Sequence, residues 1–148
     1  KQMPYLAVSL LNLALLVAIN RWLFDVPLKG SAVALAVGGV LYVLATTSFG
    51  LLVSTVTNTQ IAAILGTMIL TTLPTIQFSG LITPRSSLDG GAAIMGVLFP
   101  AGYFLDIAVG TFTKALNLRD LWLQCLALFG FFIGFTGLSL LLLKKQEA

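Results

Sequence analysis

Hydrophobic residues occur along this chain in long uncharged runs that short polar segments separate. The runs cover residues 2–20, 30–84 and 121–143, and about 20 apolar residues cross a bilayer as an α-helix. The middle run of 55 residues would extend about 80 Å as one helix, which suits two crossings with a turn between them. Residues 57–60, with the sequence TNTQ, mark that turn. The pattern predicts four membrane spans, at about residues 4–24, 31–56, 61–82 and 121–143.

The stretch between the third and fourth spans is too short and too irregular for a fifth crossing. Its longest uncharged piece, residues 90–105, corresponds to about 24 Å of helix, less than the ~30 Å hydrocarbon core. We therefore predict two short helices, at about residues 92–99 and 103–116, that enter and leave one face of the membrane. The candidate residues of this re-entrant segment are Phe99, Pro100, Tyr103, Asp106 and Gly110.

The fold class that follows is an all-α integral membrane protein, with four transmembrane helices and a re-entrant helical hairpin before the last span. It forms a single transmembrane domain over residues 1–148. Because the chain opens without an initiator methionine or a signal-peptide pattern, we expect it to be a segment of a longer protein.

Composition supports a membrane protein and argues against several kinds of chemistry. Hydrophobic residues make up 58% of the chain and charged residues 9%, against about 25% charged in soluble domains. The sequence has no histidine, which excludes imidazole bases and His metal ligands within it. Its single cysteine, Cys125, lies in an apolar run and is expected to be a packed, inert thiol. We expect no enzyme, no cofactor or metal, and, because the basic residues are scattered, no nucleic-acid partner.

The third predicted span carries hydroxyl groups at every fourth position, which places them along one slowly winding stripe. Pro74 interrupts the backbone hydrogen bonding of the same helix. One interpretation is a hinged, polar-faced helix that lines a substrate path. The other is that the hydroxyls bond their own backbone or a neighbouring helix, as is common in membrane bundles. The candidate path and hinge residues are Thr67, Thr71, Pro74, Thr75, Gln77, Ser79 and Gly80.

Small residues four positions apart predict places where helices approach closely. The pairs are Ala34 with Gly38, Ala62 with Gly66, and Gly130 with Gly134.

Two acidic residues stand next to or inside apolar segments. Asp106 lies within the apolar residues 101–113, where a carboxylate at the centre of a membrane helix costs about 2.5 to 3.5 kcal/mol. It either needs a partner or water within the membrane, or lies on the wet face of an interfacial helix. Asp120 precedes the last span and is predicted to be its N-cap.

Three segments occur in a characteristic order: residues 74–84 (PTIQFSGLITP), residues 99–100 (FP) and residues 103–105 (YFL). This order resembles the permease subunits of ABC-2 type transporters, above all bacterial export permeases with a large periplasmic domain after their first helix. The resemblance covers essentially the whole chain.

In such permeases a Ser-Gly pair precedes a proline at the end of the fifth helix, which matches Ser79, Gly80 and Pro84. A re-entrant pair of short helices follows, which matches residues 92–116. The re-entrant helix of the family often carries an arginine before a glycine. This chain has valine and glycine at residues 109–110, so no role of that arginine is carried over.

The resemblance implies the third to sixth helices of a six-helix permease in the bacterial inner membrane, with both ends of the segment cytoplasmic. It implies three kinds of partner: cytoplasmic ABC ATPase subunits, a second permease subunit in a homo- or heterodimer, and membrane lipid. The loop within reach of the ATPase would contain Thr57, Asn58, Thr59 and Gln60. The side of the termini carries three basic residues and the other side five. This count favours the opposite orientation, with the termini outside the cytoplasm. We follow the resemblance, because the count lacks the helices upstream.

The leading hypothesis is a permease subunit that exports a substrate by alternating access, driven by separate ATPase subunits. No Gly-x-x-x-x-Gly-Lys-Ser/Thr loop occurs in the sequence, so ATP binding is expected on a partner. The alternative is a non-transporting membrane subunit that transmits force from an ATPase or scaffolds an assembly.

Overall fold

The structure is a computed structural model that describes residues 3–25, 27–78, 82, 85–87 and 89–146. Side chains are described for all of these except residues 78, 85, 95 and 144–146. Every regular element in this part of the chain is helical, which confirms the all-α class. The elements are α1 (Met3–Trp22), α2 (Ala32–Val56), α3 (Gln60–Phe78), a short 3₁₀ turn (Arg85–Ser87), α4 (Gly91–Leu98), α5 (Pro100–Thr113) and α6 (Trp122–Gln146).

Four of these helices are long and apolar enough to cross a membrane, namely α1, α2, α3 and α6. Side-chain hydrogen bonds mark where two of them begin. Ser31 caps α2, because its side chain accepts a hydrogen bond from the Ala34 N–H at 3.4 Å. Thr59 caps α3 in the same way, with its Oγ1 accepting from the Ala62 N–H at 3.2 Å.

Helix α2 is the centre of the bundle, because it contacts α1, α3, α5 and α6. It runs parallel to α6. Near the start of α2 the Ser31 N–H donates to the Leu116 carbonyl, which precedes α6, at 3.3 Å. Further along, the Thr136 hydroxyl of α6 donates to Ser48 Oγ of α2 at 3.0 Å. Two neighbouring parallel helices need a long connection, and α3, α4 and α5 form it.

The remaining long helices run antiparallel to α2. Helix α3 follows it after the short loop 57–59. On α1, Leu13 packs against Gly39, while Trp22 lines the same cavity as Ala32, which lies at the start of α2. The beginning of α1, the loop 57–59 and the end of α6 therefore share one side of the bundle, which we name the loop side. The opposite side is named the hairpin side.

The core lies where α2, α5 and α6 meet. Its fully buried residues include Ala34, Ile107, Leu121 and Leu128. Gly38 permits the close approach of α5, since a Cβ added there would lie 2.8 Å from Ile107 Cδ1. By contrast, α1 has no buried residue, and none of the residues Gln60–Gln77 of α3 is buried. Helices α2, α5 and α6 thus form a packed unit, with α1 and α3 attached to its outside.

Helices α4 and α5 form a bent pair, with 75° between them. Their junction lines one cavity together with Thr46 and Phe49, which lie near the middle of α2. Helix α5 then returns to the hairpin side, where the Thr111 carbonyl accepts from the Gly30 N–H at 2.8 Å. Helices α3 and α5 therefore end on the same side of the bundle, and we name the bent pair of α4 and α5 the hairpin.

Several sequence-based details need correction. The second short helix, expected at residues 103–116, begins at Pro100 and ends at Thr113. It begins earlier than expected because proline suits the first position of a helix, where its missing N–H is no loss. Gln60 belongs to the first turn of α3, so the loop is residues 57–59. Asp120 does not cap α6 as expected: its carboxylate accepts from the Asn117 N–H at 3.1 Å, in the turn before the helix.

Candidate functional site: a cavity at mid-depth of the bundle

A cavity of about 250 Å³ lies between α3, the packed unit and the junction of α4 with α5. Its wall is mainly apolar and aromatic, with threonines on two sides, and none of its residues carries a charge at neutral pH. Concave, largely apolar sites with a few polar groups are typical of ligand-binding sites. The lining residues are Tyr42, Thr46, Phe49, Thr71, Thr75, Leu98, Phe99, Pro100, Ala101 and Phe135.

The structure separates the hydroxyl stripe of α3 into residues that line the cavity and one that does not. Thr71 and Thr75 line the cavity, and Thr67 does not. The hydroxyls of Thr67 and Thr71 donate to their own helix, as the second interpretation of the stripe expects. Thr67 Oγ1 donates to the Ala63 carbonyl at 2.8 Å, and Thr71 Oγ1 to the Thr67 carbonyl at 2.6 Å.

The other candidate residues of α3 have different positions. Pro74 lies half-buried within α3, which continues through it to Phe78. Gln77 is exposed. Ser79 and Gly80 lie outside the residues that the structure describes.

The candidate residues of the re-entrant segment divide between the cavity and the packed unit. Phe99 and Pro100 line the cavity. Tyr103 holds the bend, since its hydroxyl donates to the Val97 carbonyl at 3.2 Å across the junction. A Cβ added to Gly110 would lie 3.0 Å from a Leu116 side-chain carbon, so this glycine lets the chain after α5 pack closely. Asp106 is half-buried on α5 and does not line the cavity.

The sequence interpretation missed the part of the cavity that α2 and α6 supply. Tyr42, Thr46 and Phe49 lie at positions i, i+4 and i+7 of α2, which places them on one helix face. That spacing could have singled them out, but α2 is apolar almost all round, so no polar contrast marks the face. Phe135 of α6 completes this wall, with its ring centroid 5.2 Å from that of Phe49 in an edge-to-face pair.

The loop residues are held by local hydrogen bonds at both ends. Thr57 closes α2 with its Oγ1 donating to the Val53 carbonyl at 3.1 Å. Thr59 caps α3, and Asn58 between them is exposed. The loop is therefore short and anchored to two membrane helices.

The small-residue pairs behave differently from one another. Gly38 is in close contact with α5, and a Cβ on Gly66 would only reach Val53 at 3.6 Å, an ordinary contact distance. Among the described residues Gly130 and Gly134 have no such neighbour within 4 Å, so there they do not form the tight interface that their spacing predicts. Within the described residues, no group of three or more acidic or cysteine side chains is placed to hold a metal ion.

Comparison with known proteins finds related membrane permeases. The chain is 28% identical over 122 residues to the probable multidrug ABC transporter permease YbhR of Escherichia coli (strain K12), which covers 82% of this chain and 33% of that permease. It is 28% identical over 146 residues to the probable multidrug ABC transporter permease YbhS of the same organism, covering 99% of this chain and 39% of the relative. For the inner membrane transport permease YhhJ, also of that organism, the identity is 29% over 142 residues, covering 95% and 36%. No solved structure matches the chain.

The chain thus spans between 33 and 39% of the length of these curated relatives. The family described as ABC-2 family transporter protein matches residues 1–141. This match covers nearly all of the chain and includes every residue that lines the cavity. The chain belongs to the ABC-2 family of transporter membrane proteins.

Proposed function

We propose that the full-length protein is the membrane subunit of an ATP-driven exporter in the bacterial inner membrane. It works with cytoplasmic ABC ATPase subunits and a second permease, which supply ATP hydrolysis and the other half of the path. The family match and the permease names of the relatives support this assignment.

The observation that carries the mechanism is the position of the cavity between an attached helix and a packed unit. On one side lie α2, α5 and α6, which share a buried core. On the other side lies α3, which contributes Thr71 and Thr75 to the cavity wall. None of its residues Gln60–Gln77 is buried. Movement of α3 against the packed unit opens or closes the cavity. Such rocking of one element against another is how alternating access operates.

The loop 57–59 is proposed to receive the motion from the ATPase. It lies on the loop side together with the beginning of α1 and the end of α6, and its two threonine caps tie it to α2 and α3. A push on a loop anchored in this way is transmitted to the helices. Under this proposal the loop side is cytoplasmic.

Pro74 is the proposed hinge of α3. It cannot donate to the Leu70 carbonyl, so α3 lacks one backbone hydrogen bond at this turn. Pro74→Ala restores that donor, and a proline inside a helix costs about 3 kcal/mol. We expect the variant to be more stable to heat and to transport several-fold more slowly. The matched control is Thr72→Ala, at an exposed position of the same helix.

The experiment uses the full-length permease with its ATPase in inside-out vesicles, and measures ATP-dependent uptake of a panel of uncharged and cationic dyes. Export predicts that at least one dye accumulates, that Pro74→Ala slows it, and that Thr72→Ala does not. Unchanged uptake with Pro74→Ala would show that Pro74 is not a hinge for transport. If no dye accumulates and ATP hydrolysis responds only to a periplasmic protein, the force-transmitting alternative is correct.

A further inference from the structure

Two of the four hydroxyl side chains that line the cavity, those of Thr46 and Thr71, have a directional preference. A threonine hydroxyl has one proton and two acceptor lone pairs. Thr46 Oγ1 donates its proton to the Tyr42 carbonyl at 2.9 Å, and Thr71 Oγ1 donates to the Thr67 carbonyl at 2.6 Å. Both residues line the cavity. With their protons committed to their own helices, these two hydroxyls can only accept a hydrogen bond from a molecule in the cavity.

The rest of the wall favours an aromatic molecule without charge. The rings of Phe49, Phe99 and Phe135 line the cavity, and aromatic rings prefer edge-to-face or offset contact with another ring. No lining side chain could neutralise a charged ligand, and an unpaired charge in the membrane interior is costly.

The volume of the cavity limits the size of the molecule that it can hold. An apolar cavity of about 150 Å³ in another protein holds one benzene ring. This cavity measures about 250 Å³, which suits one or two fused rings.

We propose that the cavity binds small, uncharged aromatic molecules of one or two rings that carry an N–H or O–H donor, as in indoles and phenols. The donor bonds the hydroxyl of Thr71 or Thr46, and the rings pack between α2, α6 and the hairpin. The inference rests on the proposed function only where it takes this molecule to be the transported substrate. Binding itself requires neither ATP nor the ATPase.

The test measures equilibrium binding of radiolabelled indole to the full-length permease in lipid nanodiscs, with empty nanodiscs subtracted. Benzothiophene has nearly the same shape as indole and lacks the donor, so it serves as the matched ligand. We expect saturable indole binding and benzothiophene binding about tenfold weaker, since a lost hydrogen bond of ~1.4 kcal/mol is a factor of ten. Tryptamine and indole-3-acetate, which are charged, should compete poorly.

Two variants assign the binding to the cavity. Thr71→Val removes an acceptor while keeping the shape, so indole should bind severalfold more weakly while benzothiophene is unaffected. Thr67→Val makes the same change one turn earlier, where the hydroxyl has the same kind of backbone bond but lies outside the cavity, and should change neither ligand.

Equal effects of the two variants, equal affinity for indole and benzothiophene, tighter binding of a charged ligand or no saturable binding would each overturn the proposal. Because no ATP is present, these outcomes are independent of whether the protein transports anything. Conversely, a permease that binds indole in this way and fails to move any substrate would contradict the proposed function alone.

Discussion

Threonine hydroxyls in the membrane helices mostly donate to the backbone one turn earlier. Thr67 and Thr111 do so at 2.8 and 2.9 Å. A hydroxyl that bonds its own helix and one that bonds a neighbour look alike in a sequence, so the stripe on α3 could be found but not interpreted. Thr136 differs, because its hydroxyl reaches Ser48 on α2.

A double-mutant cycle should detect this interhelical bond. We expect Ser48→Ala and Thr136→Val to show a coupling energy of about 0.6 kcal/mol, the usual size for such bonds in membrane proteins. The measurement is unfolding of the purified protein in detergent. Thr47→Val paired with Thr136→Val is the control, since Thr47 Oγ1 donates to the Val43 carbonyl at 2.7 Å within α2. Equal coupling in the two cycles would show that the Ser48 contact has no specific energy.

Two glycines with the same spacing pattern should respond oppositely to alanine. A Cβ at Gly38 would lie 2.8 Å from Ile107 Cδ1, whereas Gly134 has open space around it. Overpacking costs about 1 to 3 kcal/mol, while alanine improves helix propensity by about 1 kcal/mol. We expect Gly38→Ala to lower the thermal unfolding temperature in detergent and Gly134→Ala to leave it unchanged or raise it. A lower temperature for Gly134→Ala in the full-length protein would mean that another helix packs there.

At the scale of elements, the lengths of the hydrophobic runs and the polar residues between them were enough to predict the four long helices and the two short helices before the last one. The boundaries were less accessible. Pro100 was expected to separate two short helices and instead starts α5, because proline both breaks a helix interior and favours the first turn. The cavity could not be predicted, since it depends on the parallel packing of α2 against α6, which is set by contacts 88 residues apart, such as that of Ser48 with Thr136.

The re-entrant path of the hairpin can be tested by labelling from one side of the membrane. In a Cys125→Ser background, we expect Gly91→Cys and Thr113→Cys to react with an impermeant maleimide from the same side, and Asn58→Cys from the opposite side. All three positions are exposed, and Gly91 has open space for a side chain. Labelling of Gly91→Cys together with Asn58→Cys, and apart from Thr113→Cys, would instead make α4 and α5 one broken span.

At the scale of the whole molecule, the chain presents two unlike parts. Its packed unit buries small and apolar residues between α2, α5 and α6. Its attached helices, α1 and α3, expose large apolar side chains such as Leu11, Ile61 and Met68. These surfaces suit lipid or further membrane helices, and the matched region makes up 33% and 39% of the length of two relatives. The division between a packed unit and an attached α3 is the basis of the proposed motion.

The central claim, that α3 moves against a packed unit when ATP is bound, can be tested by spin-label distances in the full-length permease together with the proposed ATPase subunits. In a Cys125→Ser background, one label pair joins α3 to α6 at Thr72→Cys and Leu138→Cys. The reference pair joins α2 to α6 at Val40→Cys and Leu138→Cys, all at exposed positions. Trapping ATP should shift the α3 to α6 distance by several ångströms and leave the α2 to α6 distance unchanged. Equal shifts in both pairs, or none in either, would contradict the account.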